Sequence, residues 1–539
     1  MQTTLRITLT TLSLAFTLWS HPAQAGYDEG KAAYEQHDFA IALGQWKPLA
    51  EKGDARAQAG LCRMYLEGEG VPQDYEEALR LCRLGVQQKN AEAQTRLAWM
   101  YERGAGVPKD YQEALRLYRL AVAQGYAKAQ NNLGAMYVRG QGVVPDYKEA
   151  MRLYRLAAAQ GFKNAQYNIA LMYRNGRGVP QSDKEAVRWY RLAANQGDAE
   201  AQANLGLMYK HGLGVLQDDK EAVRWYRLAV AQGHVRAHVS LGMMYNKGRG
   251  VPQDYKEAKR LFLFAADRGD VDGQTNLGIM YAYGEGVPQD YKEAARWYRF
   301  AAEQGYAKAQ YSLAWMYERG QGVPKDYKEA VRWYRFAAEQ GDGGAQAQLG
   351  TMYYMGEGVA QDYKEALRWY HFSAEQGHVD GQIDLGMMYA NGKGVPQDYK
   401  EAARWYSLAA EQGDAGALYR LSQMYFSGQG VQGNLIVSHT LLKMSTTVDP
   451  SDQNPAVNLR ALLKETISPQ EGEAIQRLSL ELSKPGNFLK ALDAYTKTVA
   501  NKKTACPVGT GGENDQTAAV SLASAPRLVH IASTKPCHL

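Results

Sequence analysis

The chain predicts an all-α fold: an αα-hairpin solenoid, a right-handed superhelix of about eleven 36-residue repeats. Three observations carry this. Val71, Val107, Val143, Val179, Val215, Val251, Val287, Val323, Val359, Val395 and Val431 stand 36 residues apart, each behind a Gly-x-Gly turn. A Met-Tyr pair recurs in phase from Met64-Tyr65 to Met424-Tyr425. Apolar residues on both sides of each turn follow helical spacing. A fixed period of this length marks one supersecondary unit stacked on itself, with contacts mostly between neighbours.

The totals narrow the function. Of 539 residues, 45% are hydrophobic and 22% charged, as in an ordinary folded protein. Lys+Arg (62) and Asp+Glu (57) nearly balance at a net charge of +5, so no nucleic-acid partner is implied. No cofactor motif is present.

In chain order, residues 1–25 read as a signal peptide. Arg6 supplies the positive end, Ile7 to Trp19 the apolar stretch, and Ala23-Gln24-Ala25 the cleavage site. Cleavage would leave a chain from Gly26 with charge +5 − 1 = +4, since Arg6 is the one charged residue removed. No later run approaches a membrane span, so the mature protein is expected to be exported, periplasmic or secreted, with no transmembrane span after signal cleavage. Residues 26–54 read as an N-terminal half-repeat or cap, with Asp38 to Gly53 as a second helix lacking its preceding turn.

Residues 55–446 form the array. In the copy at 290–325, Asp290-Tyr291-Lys292-Glu293 resembles a capping box. Ala294, Trp297, Tyr298 and Ala301 follow on one face, and Gly305 closes the helix. The next helix carries Ala309, Leu313, Met316 and Tyr317 before Gly320 and Gly322 turn the chain. The helix before each Gly-x-Gly-Val turn is helix A, and the one after it helix B. Recurrent Met-Tyr pairs on helix A and Trp-Tyr pairs on helix B, such as Trp297-Tyr298, read as the buried stack rather than a cofactor box. After Val431 the pattern decays. Residues 447–500 read as a C-terminal helical cap, with helices at Pro455 to Glu465, from Ser468 (N-cap) to about Ser483, and at Asn487 to Ala500. Residues 501–539 read as a flexible tail.

Cys62 takes the small position of helix A held elsewhere by Gly134 and Gly206. Cys82 takes the aromatic position of helix B held by Tyr118 and Tyr154. The midpoint of the pair falls in the turn, so the two face each other across the hairpin, as a disulfide or as buried thiols. Cys506 and Cys537 pair by elimination. No cysteines show metal-ligand spacing.

These residues resemble the Sel-1-like repeat family, a relative of the tetratricopeptide repeat. The pattern is Ala-x-x-x-Leu-Gly-x-Met-Tyr-x-x-Gly-x-Gly-Val-Pro-x-Asp-Tyr-x-x-Ala-x-x-Trp-Tyr, over roughly Phe39 to Val431. Ser182-Asp183 and Asp218-Asp219 replace Asp-Tyr, and Leu261-Phe262 replaces Trp-Tyr. The resemblance implies a non-enzymatic adaptor holding a protein or peptide partner in the bacterial envelope or outside the cell. Some cysteine-rich secreted members are described as β-lactamases or penicillin-binding proteins. This chain lacks their cysteine pair in every repeat and any Ser-x-x-Lys-based site. Cell-wall glycan or exopolysaccharide binding is a third reading.

Reactive chemistry is sparse. His234 and His238, at i and i+4, could hold a metal, but no third ligand is evident. One helix A column stays polar: Arg96, Asn132, Asn168, Asn204, Ser240, Asn276, Ser312, Gln348, Asp384 and Arg420, broken by Gly60. Its members from Asn132 to Asp384 are the candidate partner-binding residues of the concave face, the alternative being a merely hydrated inner face. The preceding column (Thr95, Asn131, Tyr167, Ala203, Val239 and onward) varies more and would complete the groove.

Overall fold

The computed structural model describes residues 22–463 and 467–504, which form 27 α-helices and no strand. The signal-peptide residues before Pro22 and the tail cysteines, Cys506 and Cys537, lie outside the described residues. No helix among those described is long and apolar enough to cross a membrane. The chain divides into two compact units, one ending at Ala337 and the other beginning at Ala338. In each, consecutive helices pack as antiparallel hairpins, giving the all-α repeat solenoid that the 36-residue period predicts.

The hairpin of Val271–Tyr283 and Tyr291–Glu303 shows how local chemistry makes the unit. Helix A ends at Gly284, whose φ of 72° lets its N–H reach back to the Met280 carbonyl. The Gln289 side chain donates to the Ala282 carbonyl at 2.7 Å, satisfying a second helix-end acceptor. At Gly286, φ is 68° and an added Cβ would stand 2.2 Å from the Tyr255 Cβ, so both backbone and space require glycine. Helix B starts where the Asp290 carboxylate accepts from the N–H groups of Lys292 and Glu293. Only this half of the expected capping box forms. The Asp290 N–H donates across the turn to the Tyr281 carbonyl at 2.9 Å, and Glu293 pairs with Arg296.

The core is the recurrent stripe. Met280 is 1% exposed, Tyr298 4% and Trp297 8%, and each such side chain contributes about 1.5–3 kcal/mol by leaving water. The tyrosine of most Met-Tyr pairs behaves differently: Tyr137, Tyr173, Tyr209 and Tyr245 are only half-buried, although Tyr425 in the last pair is buried. The small residue of helix A faces the helix B aromatic ring, and a Cβ on Gly278 would stand 2.5 Å from Tyr298 Cε1. Cys62 and Cys82 occupy these two places and meet as a disulfide, with Cα atoms 5.5 Å apart.

The N-terminal piece is more than half a hairpin. A helix at Pro22–Glu35 packs against Phe39–Glu51, and Tyr27 and Tyr34 stack on Trp46 with ring centroids 6.0 and 5.5 Å apart. This helix straddles the expected cleavage site and lacks the Gly-x-Gly-Val turn, which is why the repeat pattern hides it. Trp46 also explains Gly60: a Cβ there would lie 2.8 Å from the indole. At the other end, helices run Pro455–Leu463, Pro469–Leu482 and Phe488–Thr504. The Ser468/Glu471 capping box is complete. Leu478, Leu482, Phe488 and Leu492 join the apolar cluster of Leu421, Val437 and Leu441, covering the last hairpin.

Candidate interaction surfaces

The polar column of helix A sits where each helix A meets the tyrosine of the preceding helix B, 14 residues upstream. In the first unit, Asn132, Asn168, Asn204, Ser240, Asn276 and Ser312 are all half-buried. Asn132 donates to the Tyr118 hydroxyl at 3.3 Å, and that hydroxyl donates to Glu102 at 2.9 Å. Asn168 donates to Asn131 at 2.9 Å, while Asn204 accepts from Arg174 at 2.9 Å. Ser240 and Ser312 stand beside the hydroxyls of Tyr226 and Tyr298. Asn276 and Ser312 also bond carbonyls of their own helix, those of Asp272 and Lys308. The column therefore does internal work, bonding the Tyr118 hydroxyl at Asn132 and neighbouring polar groups or its own helix elsewhere, while part of each side chain reaches solvent.

In the second unit, Gln348 is half-buried and Asp384 is 8% exposed. Burial pushes the Asp384 carboxyl up to about 7. Asp380 pushes the same way and Arg420 opposes.

The preceding column is divided: Tyr167, Ala203, Tyr311, Ile383 and Tyr419 are half-buried, and its other members are buried. Thr95 and Thr275 are buried, with hydroxyls donating to their own helix carbonyls at Ala91 and Val271. Val239 and Ala347 are also buried, and Tyr167 and Tyr311 pack against the rings of Tyr190 and Tyr334.

His234 and His238 are used separately. His234 caps its helix through Nδ1, which accepts from Ala237 N, and its Nε2 faces Glu200 at 3.2 Å. His238 is buried, with Nδ1 2.9 Å from the His234 carbonyl oxygen and its ring 3.7 Å above Phe264. Burial depresses its pKa, favouring neutral imidazole. No group of three or more His, Cys, Asp or Glu side chains converges as metal ligands would among the described residues.

A second ladder escapes the sequence reading. The glutamine after each helix B donates to a buried glutamine 30 residues upstream: Gln124 to Gln94, Gln160 to Gln130, Gln196 to Gln166 and Gln232 to Gln202, at 2.8–3.0 Å. Gln376 to Gln346 and Gln412 to Gln382 repeat it in the second unit. The acceptors are only 3–6% exposed, yet their polarity is matched rung by rung. The available signal was glutamine held at two columns in phase. His238 and Arg268 replace one rung, and there the Arg268 guanidinium lies 3.5 Å from the Phe264 ring centroid.

Eleven successive segments match the Sel1 repeat, from 55–90 and 91–126 through to 415–445. The chain belongs to the Sel1 repeat family. Among solved structures, this Sel1 repeat chain is 33% identical to a protective antigen present in uropathogenic Escherichia coli strains that displays an SLR fold. That match covers 88% of this chain and 99% of the antigen, with a TM-score of 0.65. A Sel1 repeat protein from Oxalobacter formigenes is 36% identical, over 57% of this chain and 90% of its own, with a TM-score of 0.48. No curated protein matches. The Sel1 fold, like the tetratricopeptide fold, commonly mediates protein–protein interaction.

Proposed function

We propose that the chain is a non-enzymatic scaffold, exported to the periplasm or beyond the cell, that holds a protein or peptide partner against helix A. The observation that carries this is the polar column. From Asn132 to Gln348 it keeps neutral hydrogen-bonding side chains partly open to solvent at one position in successive hairpins. An extended segment laid along them would meet one neutral polar anchor per repeat, spreading affinity over many weak contacts. The apolar stretch with Ala23-Gln24-Ala25 supports export, and a protective antigen among similar proteins fits that location.

The test is a pull-down from envelope extract with wild type and the triple variant Asn168→Ala/Asn204→Ala/Asn276→Ala. Because Asn168 and Asn204 also bond within the array, a far-UV melt must first show the variant folded. Weakened capture by the folded variant is expected, and unchanged capture overturns the proposal.

A further inference from the structure

A second surface, on helix B, is independent of the polar column. At one exposed helix B position the first unit keeps an apolar residue: Leu120, Leu156, Leu192 and Leu228, each 41–42% exposed. An exposed arginine precedes each of them: Arg119, Arg155, Arg191 and Arg227. Their recorded hydrogen bonds go to neutral groups. Arg155 Nη2 donates to the Tyr173 hydroxyl at 3.1 Å, Arg191 to Tyr209 at 2.7 Å and Arg227 to Tyr245 at 2.7 Å, with Arg119 and Tyr137 at 3.4 Å. Tyr137 also faces Arg152 of its own hairpin, so one rung adjoins the next.

Each rung is therefore a donor surface with uncompensated positive charge. The guanidinium takes a lone pair of the tyrosine oxygen, leaving the hydroxyl proton to point elsewhere. Exposed ammoniums of Lys148, Lys184 and Lys220 lie seven residues before Arg155, Arg191 and Arg227, two turns along the same helix face. Nearby acids are engaged: Glu149 with Arg152, Glu221 with Arg224 and Asp219 with Arg249. At the second rung, Lys148, Arg152, Arg155, Met151, Leu156 and Val179 line an open groove of about 420 Å³. The leucine series is interrupted at the next copy, where Leu263 replaces the arginine and Phe264 is covered by His238 and Arg268, and the following copy resumes the pattern with phenylalanine: Arg299 donates to the Tyr317 hydroxyl at 3.0 Å beside Phe300, 42% exposed.

We infer that these four rungs dock an acidic segment of another protein that also carries leucine or phenylalanine side chains. Carboxylates complement the unpaired guanidinium and hydroxyl donors, and the apolar side chains cover the leucines. A second copy presenting the same stripe would set positive charge against positive charge, so self-docking through it is disfavoured. A purely polyanionic glycan would leave the leucines uncovered.

The test uses the full exported chain and a fluorescein-labelled synthetic peptide of alternating Glu and Leu. Controls are the same peptide with Gln for Glu, the same with Ser for Leu, an oligoglucuronate, and vesicles of equal parts phosphatidylcholine and phosphatidylglycerol. Binding of the Glu-Leu peptide should weaken with added salt. It should weaken about tenfold or more in Arg119→Gln/Arg155→Gln/Arg191→Gln/Arg227→Gln, since each exposed ion pair is worth a fraction of a tenfold step. Leu120→Ser/Leu156→Ser/Leu192→Ser/Leu228→Ser should also weaken it, with both control peptides binding poorly. Where a quadruple variant fails to fold, the double variants at 119/155 and 120/156 make the same comparison. Absence of peptide binding, indifference to the leucine variant, or equal affinity for oligoglucuronate or vesicles each overturns the inference.

Discussion

Gly278→Ala is the sharpest probe of how the hairpins are packed. The added Cβ would stand 2.5 Å from Tyr298 Cε1 and 2.6 Å from Cδ1, where the ring is 4% exposed and cannot swing away freely. Overpacking of this kind costs about 1–3 kcal/mol, while replacing a mid-helix glycine returns about 1 kcal/mol. The net expectation is a loss of about 0–2 kcal/mol by those same two terms, towards the upper end because the ring is held on all sides. The next repeat shows the remedy. There Ala314 faces Tyr334, and the Tyr334 hydroxyl donates to Glu318 at 2.7 Å. Ala282 holds the Glu318 position in the glycine copy. Gly278→Ala/Ala282→Glu should therefore recover much of the loss. Urea unfolding followed by far-UV circular dichroism reads the global effect, and hydrogen exchange over Val271–Tyr306 localises it. Exchange protection in Gly278→Ala equal to or above the parent refutes the packing argument, and no recovery in the double variant refutes the role of the acid.

Two further expectations follow from single sites. Reducing the Cys62–Cys82 disulfide, or replacing it in Cys62→Ala/Cys82→Ala, should lower stability by about 3 kcal/mol for a loop of this span; an unchanged urea midpoint with reductant would show that the pair is not bonded. Asp384 binds its proton more tightly folded (about 7) than unfolded (about 3.9), so stability should fall as pH rises from about 4 through 7. Asp384→Asn should flatten that slope and exceed the parent above pH 7, and identical pH profiles would sink the assignment.

The scaffold was legible because its demands recur. Glycine after every helix A, Asp at most helix B starts and Met at one buried position repeat with the same physical cause each time. Comparing copies even placed Cys62 opposite Cys82. The helix at Pro22–Glu35 was not legible, since it occurs once and shares no turn with the array. The polar column was legible as polar, but its contacts were not. One-dimensional comparison cannot tell an asparagine serving a tyrosine hydroxyl from one facing a partner, and Asn132 shows both a bond and an open edge. The glutamine ladder was missed because each glutamine alone looks solvated. Only the pairing of Gln94 with Gln124, and of its equivalents, places it inside.

That ladder has a consequence for the length of the molecule. Every clasp from Gln94–Gln124 to Gln202–Gln232 closes inside one copy, tying the first turn of its helix A to the residue after its helix B, so each forms whichever copy stands next door. A register kept this way is modular. Whole copies can be inserted or lost without breaking a clasp, whereas a one-residue deletion inside a helix would turn one glutamine of the pair away from the other. The chain is thus built as a ruler whose divisions are interchangeable, with its exceptional marks (the Cys62–Cys82 copy and the His238–Arg268 copy) at fixed distances along it.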